Sequence, residues 1–194
     1  GSGPLAVNGN ASLAGTAAST TVDVNGGTFT LDGDNRLAAT AAGTVDGGAT
    51  LALGGDLAVA TLDLAGSVSG SGRTLTAATT TFAAGVQFGA NLGPGTLIVN
   101  GNAGLSGTAG IGALVINAGT LTLTGADRFT ATPAADVAGT LATGGREALG
   151  SLVGGGDAGG ARLRRRLLLF PGLAPAGAQH RGPGRHQRGE ELPE

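Results

Sequence analysis

Large side chains and reactive ones are both scarce in this sequence of 194 residues. It holds five Phe and no Trp, Tyr, Met or Cys. Without cysteine there is no disulfide framework, no thiolate metal site and no cysteine nucleophile. Without bulky side chains there is little material for a round globular core, and a narrow core suits the inventory better. No run of 18 consecutive apolar residues occurs, so no transmembrane helix is expected. The chain opens on Gly1-Ser2-Gly3 and enters its repeats without a basic region and apolar signal core, so an export signal is expected upstream.

What fills the sequence instead is glycine, at 40 residues, with alanine, threonine and short aliphatics. Charge is uneven. Residues 1–153 carry four Arg against nine acids, and residues 154–194 carry seven Arg against four acids. The first part is therefore acidic and the second basic, which marks a boundary.

The sequence repeats itself. Residues 3–47 align without a gap on residues 95–139, an offset of 92, with 23 of 45 positions identical. Asn25-Gly26-Gly27-Thr28-Phe29-Thr30-Leu31-Asp32-Gly33 returns as Asn117-Ala118-Gly119-Thr120-Leu121-Thr122-Leu123-Thr124-Gly125. A repeat array follows, with one unit at 3–94 and a second, incomplete one at 95–153. Gly54-Gly55 and Leu62 match Gly144-Gly145 and Leu152 at an offset of 90, so two residues have been lost on the way.

Within a unit, apolar residues alternate with small polar ones in runs of three to six closed by Gly or Asn, the signature of short strands and turns. Period two sends Phe29 and Leu31 inward and Thr28, Thr30 and Asp32 outward; in the second copy Leu121 and Leu123 go inward and Thr120, Thr122 and Thr124 outward. Asn8-Gly9-Asn10 and Asn100-Gly101-Asn102 supply the corners, since Asn and Gly tolerate the left-handed backbone of a sharp turn. An antiparallel meander is the competing arrangement, because Asn-Gly is also a hairpin signal. The long repeat, with irregular spacing inside the unit reproduced between units, favours a parallel β-solenoid. At roughly 20 residues per coil the unit is four or five coils and the body seven or eight, a rod on the order of 35 Å long. Gly, Thr and Asn at this density disfavour helix.

The array stops near residue 153. All 23 Thr and all eight Asn lie at or before Thr143, and both histidines, His180 and His186, lie after it. The expectation is a low-complexity Arg/Gly/Pro tail at 154–194, read either as an out-of-frame continuation of the same repeat or as a disordered basic tail.

The pattern Gly119-Thr120-Leu121-Thr122-Leu123 with Gly125-Ala126-Asp127-Arg128-Phe129, followed by Val137-Ala138-Gly139-Thr140-Leu141 and Gly144-Gly145, resembles the β-strand repeats of autotransporter passengers and filamentous-haemagglutinin-like surface proteins. Residues 90–102 are similar to the linker between successive units of such arrays. The resemblance covers residues 3 to about 153 and implies a right-handed parallel β-helix, secreted and displayed at the cell surface as a stalk or adhesive fibre. It implies outer-membrane association through further parts of the parent protein and its secretion apparatus, and contact with host-cell or neighbouring-cell surface components.

Candidate chemistry is thin. The body has no His, Cys, Lys or Tyr, which removes the usual general bases and most nucleophiles. Asp32 and Asp34 form the closest acid pair, as a sugar-cleaving enzyme would need, but their twins are Thr124 and Ala126, which favours turn polarity. Asp32-Gly33-Asp34-Asn35 lacks the remaining ligands of a calcium loop. Arg36 and Arg128 are retained in register, either as a ligand-facing stripe or, preferably, as solvated corner side chains or salt-bridge partners of Asp34 or Asp127. Thr28/Thr30 and Thr120/Thr122 have the spacing of an ice-binding face, yet the intervening coils do not carry it. Arg162 to Arg166 offer charge to nucleic acid without aromatics to stack bases, so no nucleic-acid partner is expected. No catalytic residue, metal or cofactor is assigned, and the expected role is structural and adhesive, with a polysaccharide-cleaving β-helix as the alternative.

Overall fold

The computed structural model describes residues 3–155, which form a parallel β-solenoid of eight turns without helix. One face stacks β1 (Leu5–Val7), β3 (Thr21–Val24), β5 (Ala42–Val45), β7 (Leu57–Leu64), β9 (Thr74–Phe82), β12 (Thr96–Val99), β14 (Ala113–Ile116), β16 (Ala134–Val137) and β18 (Ser151–Val153), with β11 (Asn91–Leu92) also pairing β9. The second face stacks β2 (Ala11–Leu13), β4 (Thr28–Leu31), β6 (Thr50–Leu53), β8 (Ser67–Ser69), β10 (Gln87–Phe88), β13 (Ala103–Leu105), β15 (Thr120–Leu123) and β17 (Thr140–Thr143). Every strand pairing is parallel, so the meander is set aside. A narrower third side consists of the first halves of β7 and β9, β11, and parallel bridges between Ala17 and Leu37, Leu92 and Ala109, and Ala109 and Phe129. The tail at 154–194 lies outside the described residues from 156 onward.

Following one inward position up the first face accounts for the repeat length. Leu5 pairs with Val22, then Gly43, Leu62, Thr80 and Leu97 follow. Five turns carry Leu5 to its own twin 92 residues on, so the unit is five coils. Turns therefore vary in length while the repeat holds. The two lost residues are located at one corner: β5 and β6 are joined by residues 46–49, whereas β16 and β17 are joined by Ala138-Gly139 alone. A change of two leaves every later side chain on its own side, because strand side chains alternate with period two. That is why the array survives the deletion.

The second face drifts by the same step. Followed from Phe29, the ladder runs through Leu51, Val68, Phe88 and Leu105 and reaches Leu123, two residues past the Phe29 sequence twin Leu121. Phe29, Leu31, Leu121 and Leu123 are all buried. Thr122 is exposed and Thr28, Thr30 and Thr120 are half-buried. Inward ladders of Val, Leu, Ile and Phe fill the interior as one continuous core along the axis. Burying such aliphatic side chains contributes about 1.5–3 kcal/mol each relative to exposure, which is where the rod's stability originates.

One rung breaks the apolar rule. Thr80, 1% exposed, sits inward between Leu62 and Leu97, and its Oγ1 has no hydrogen-bond partner. A buried hydroxyl left unsatisfied carries its full desolvation cost, whereas valine has the same branching and no polar atom. Thr80→Val is expected to stabilise the rod by about 1 kcal/mol, read as a higher urea midpoint at unchanged slope. A lower midpoint would show that the hydroxyl is satisfied inside the rod.

Candidate functional site

Polar residues are concentrated at the corners, and there they serve the main chain. In the first corner of each unit, Asn25 Nδ2 donates to Asn8 Oδ1 at 2.8 Å and Asn117 Nδ2 donates to Asn100 Oδ1 at 2.8 Å. One step further on, Asn10 Oδ1 accepts the Thr28 N–H and Asn102 Oδ1 the Thr120 N–H, each at 2.9 Å. These side chains occupy the acceptor places that strand carbonyls fill elsewhere, so the ladder continues around the bend. Gly27 and Gly119, with φ of 68° and 73°, complete this corner. A Cβ at Gly27 would meet Gly9 C at 2.6 Å, so stacking on the coil beneath requires glycine there.

The next corner carries the acids and arginines. Asp34 Oδ1 accepts the Asp56 N–H at 2.7 Å, Asn35 Oδ1 the Ala58 N–H at 3.1 Å, and Asp56 Oδ1 the Thr74 N–H at 2.8 Å. The Asp34 carboxylate is thus a corner acceptor. Asn35 and Asp127, twins in the repeat, both take positive φ, at 48° and 54°.

Arg36 and Arg128 are corner side chains. Each is half-buried and folds back over a glycine of its own corner, Gly33 or Gly125, where a Cβ would collide with the guanidinium. Arg36 Nε donates to the Asp32 main-chain carbonyl at 2.6 Å rather than to the Asp34 carboxylate. Arg128 Nε is buried without a hydrogen-bond partner. The arginines are staples across a left-handed turn, and their long stems cover the glycine.

Glu147 is a polar residue that the sequence did not single out. It is 3% exposed, and its two carboxylate oxygens accept the N–H groups of Arg128 and Phe129 at 3.0 and 2.9 Å. At the offset of 90 its twin is Leu57, an apolar strand residue of β7. At the last described turn the carboxylate thus takes two main-chain N–H groups. Only the shifted offset would have flagged it, by placing an acid where the first unit has an inward leucine.

The outward side of the second face is different in character. Two adjoining shallow depressions of about 380 and 730 Å³ meet at Gln87, Gly104 and Thr124. Ser67, Ser69 and Ser106 line one, and Thr120 and Thr122 the other; neither lining includes an ionisable side chain. The outward column on this face reads Thr28, Thr50, Ser67, Gln87, Gly104, Thr122 and Ala142. The first face by contrast holds Asp23, Asp63 and Asp136 in one outward column, with Asp23 accepting the Thr44 hydroxyl at 2.7 Å. Compared with known protein families, characterised proteins and solved structures, the chain matches none.

Proposed function

We propose that the chain is a non-enzymatic structural and adhesive segment of a secreted bacterial surface protein, a β-helical stalk whose outward faces bind by many weak contacts. The observation that carries this reading is the division of labour in the rod. Asn side chains with Asp34, Asp56, Glu147 and Arg36 bond the corners, and the second face is uncharged, with a hydroxyl or amide side chain at five of the seven positions of its outward column. Contacts repeated along a stiff rod sum to avidity that no single coil provides. The partners are host-cell or neighbouring-cell surface components, and the parent protein reaches the surface through an outer-membrane secretion apparatus. Nucleic acid is not a partner in this reading, since the described rod carries more acids than arginines.

The alternative is a polysaccharide-cleaving enzyme on the same rod, using Asp32 and Asp34. Both readings are tested by one pair of measurements on the purified chain. Beads coated with it are expected to adhere to cell or polysaccharide surfaces more strongly as coating density rises, with no release of reducing sugar. Turnover of a plant or bacterial polysaccharide that Asp32→Asn abolishes would overturn the adhesive reading in favour of the enzyme.

A further inference from the structure

The stacked asparagines at the first corner of each unit are chemically unequal. In each pair the lower residue, Asn8 or Asn100, has its Oδ1 held by the Nδ2 of the residue above, and its own Nδ2 makes no hydrogen bond among the described residues. Each lower residue is exposed and is followed by glycine, Gly9 or Gly101. Each upper residue, Asn25 or Asn117, has its nitrogen engaged as the donor and its main-chain N–H tied to Val7 O or Val99 O. None of the main-chain hydrogen bonds of the described corners uses the Gly9 or Gly101 N–H.

We infer that Asn8 and Asn100 are self-modifying sites, where the following glycine nitrogen closes on the side-chain amide and water converts the asparagine to aspartate or isoaspartate. The Gly9 nitrogen gives its proton to water and attacks Asn8 Cγ, forming the C–N bond of a five-membered imide. Negative charge gathers on Oδ1, where Asn25 Nδ2 already donates, so the upper amide acts as an oxyanion donor. Collapse breaks the Cγ–Nδ2 bond, and the free nitrogen leaves as ammonia with a proton from solvent. Water then adds to either ring carbonyl and opens it, giving aspartate or isoaspartate with no change of oxidation state. Glycine matters because a side chain on the attacking residue would crowd the approach.

Asn25, Asn117, Asn10 and Asn102 lack this arrangement. Asn25 is also followed by glycine, but its leaving nitrogen is held by Asn8 and its Oδ1 has no donor among the described residues. Asn117, Asn10 and Asn102 precede alanine, whose methyl crowds the attacking nitrogen. An aspartate at position 8 or 100 keeps the acceptor that the upper amide uses and adds a negative charge, so the corner survives. Isoaspartate lengthens the main chain by one carbon and disturbs the stack.

The test is peptide mapping by mass spectrometry of folded protein aged in warm, mildly alkaline buffer, with circular dichroism to verify the fold. Asn8 and Asn100 are expected to convert ahead of Asn25, Asn117, Asn10 and Asn102. Gly9→Ala places its methyl in open space and is expected to slow Asn8 alone. Asn25→Ala, which leaves the Asn8-Gly9 step intact, is expected to slow Asn8 by about tenfold, and Asn117→Ala to do the same at Asn100. In urea the difference between Asn8 and Asn25 should vanish. Conversion of Asn25 as fast as Asn8 in the folded protein, or a rate at Asn8 unchanged by Asn25→Ala, would overturn the assignment.

Discussion

Leu123→Asp is expected to abolish the strand signal of the rod in circular dichroism, while Thr122→Lys, one residue away, leaves it intact. Leu123 is 1% exposed and lies in an inward ladder between Leu105 and Thr143. A carboxylate there would lie between the Leu105 side chain and Thr143, whose hydroxyl already donates to the Gly145 carbonyl. Ionised and unpaired in such a place it costs at least about 4 kcal/mol, a large part of the roughly 5–15 kcal/mol that holds a folded domain together. Thr122 points outward from the same strand, in a column with Gly104 and Ala142, and a lysine there keeps its ammonium in water. Its cost should stay within about 0.5 kcal/mol. Equal damage from the two substitutions would mean that the inward and outward sides are misassigned.

The contrast depends on alternation, and alternation is the part of this fold that was plain in the sequence. Threonine and leucine trading places every second residue can be read without coordinates, and so can a 92-residue period that turns out to be five coils. The third side was not legible. It is held by bridges through single residues such as Ala17, Ala109 and Phe129, which have no run of alternating neighbours to announce a strand. In the middle of the rod it merges with the first face inside β7 and β9, where residues 57–64 and 74–82 read as one long strand serving two sides. The ladder register of the second face was equally hidden, because it depends on corners of two, three or four residues whose geometry composition does not specify.

The corners explain why charged residues misled the reading more than apolar ones. Arg36 beside Asp34 suggests an ion pair, yet the αL residue between them, Asn35, turns the chain so that Asp34 bonds the coil above and Arg36 bonds the Asp32 carbonyl. Main-chain groups at a bend lose their strand partners, and the nearest side-chain acceptor takes the place. Asp34, Asp56 and Glu147 are committed in this way, and the buried Glu147 carboxylate closes the last described turn. A search for chemistry in such a rod therefore begins with the polar side chains the corners leave free.

Phe82→Ala is expected to be the most damaging truncation at the middle of the rod, and Phe82→Leu a mild one. Phe82 ends β9 on the first face and Phe88 ends β10 on the second, and their rings stack across the interior at 5.4 Å with 30° between planes. Both are buried, Phe82 completely. Two aromatics fit in this narrow core because they share a coil: the ladder neighbours are Leu64 and Val99 for Phe82, and Val68 and Leu105 for Phe88, none of them aromatic. Deleting the Phe82 ring removes packing worth about 3–5 kcal/mol, and the stacking adds about 0.5–1.5 kcal/mol more. The coils above and below are fixed by continuous hydrogen-bonded ladders and cannot close the cavity without breaking register, which places the cost at the upper end. Leucine keeps most of the volume, so its cost should be below about 1.5 kcal/mol. Urea unfolding of both single variants and of the Phe82→Ala, Phe88→Ala pair measures the coupling directly. A double variant that loses the full sum of the two single losses would show that the rings pack independently, and the two faces would then be joined by the aliphatic ladders alone.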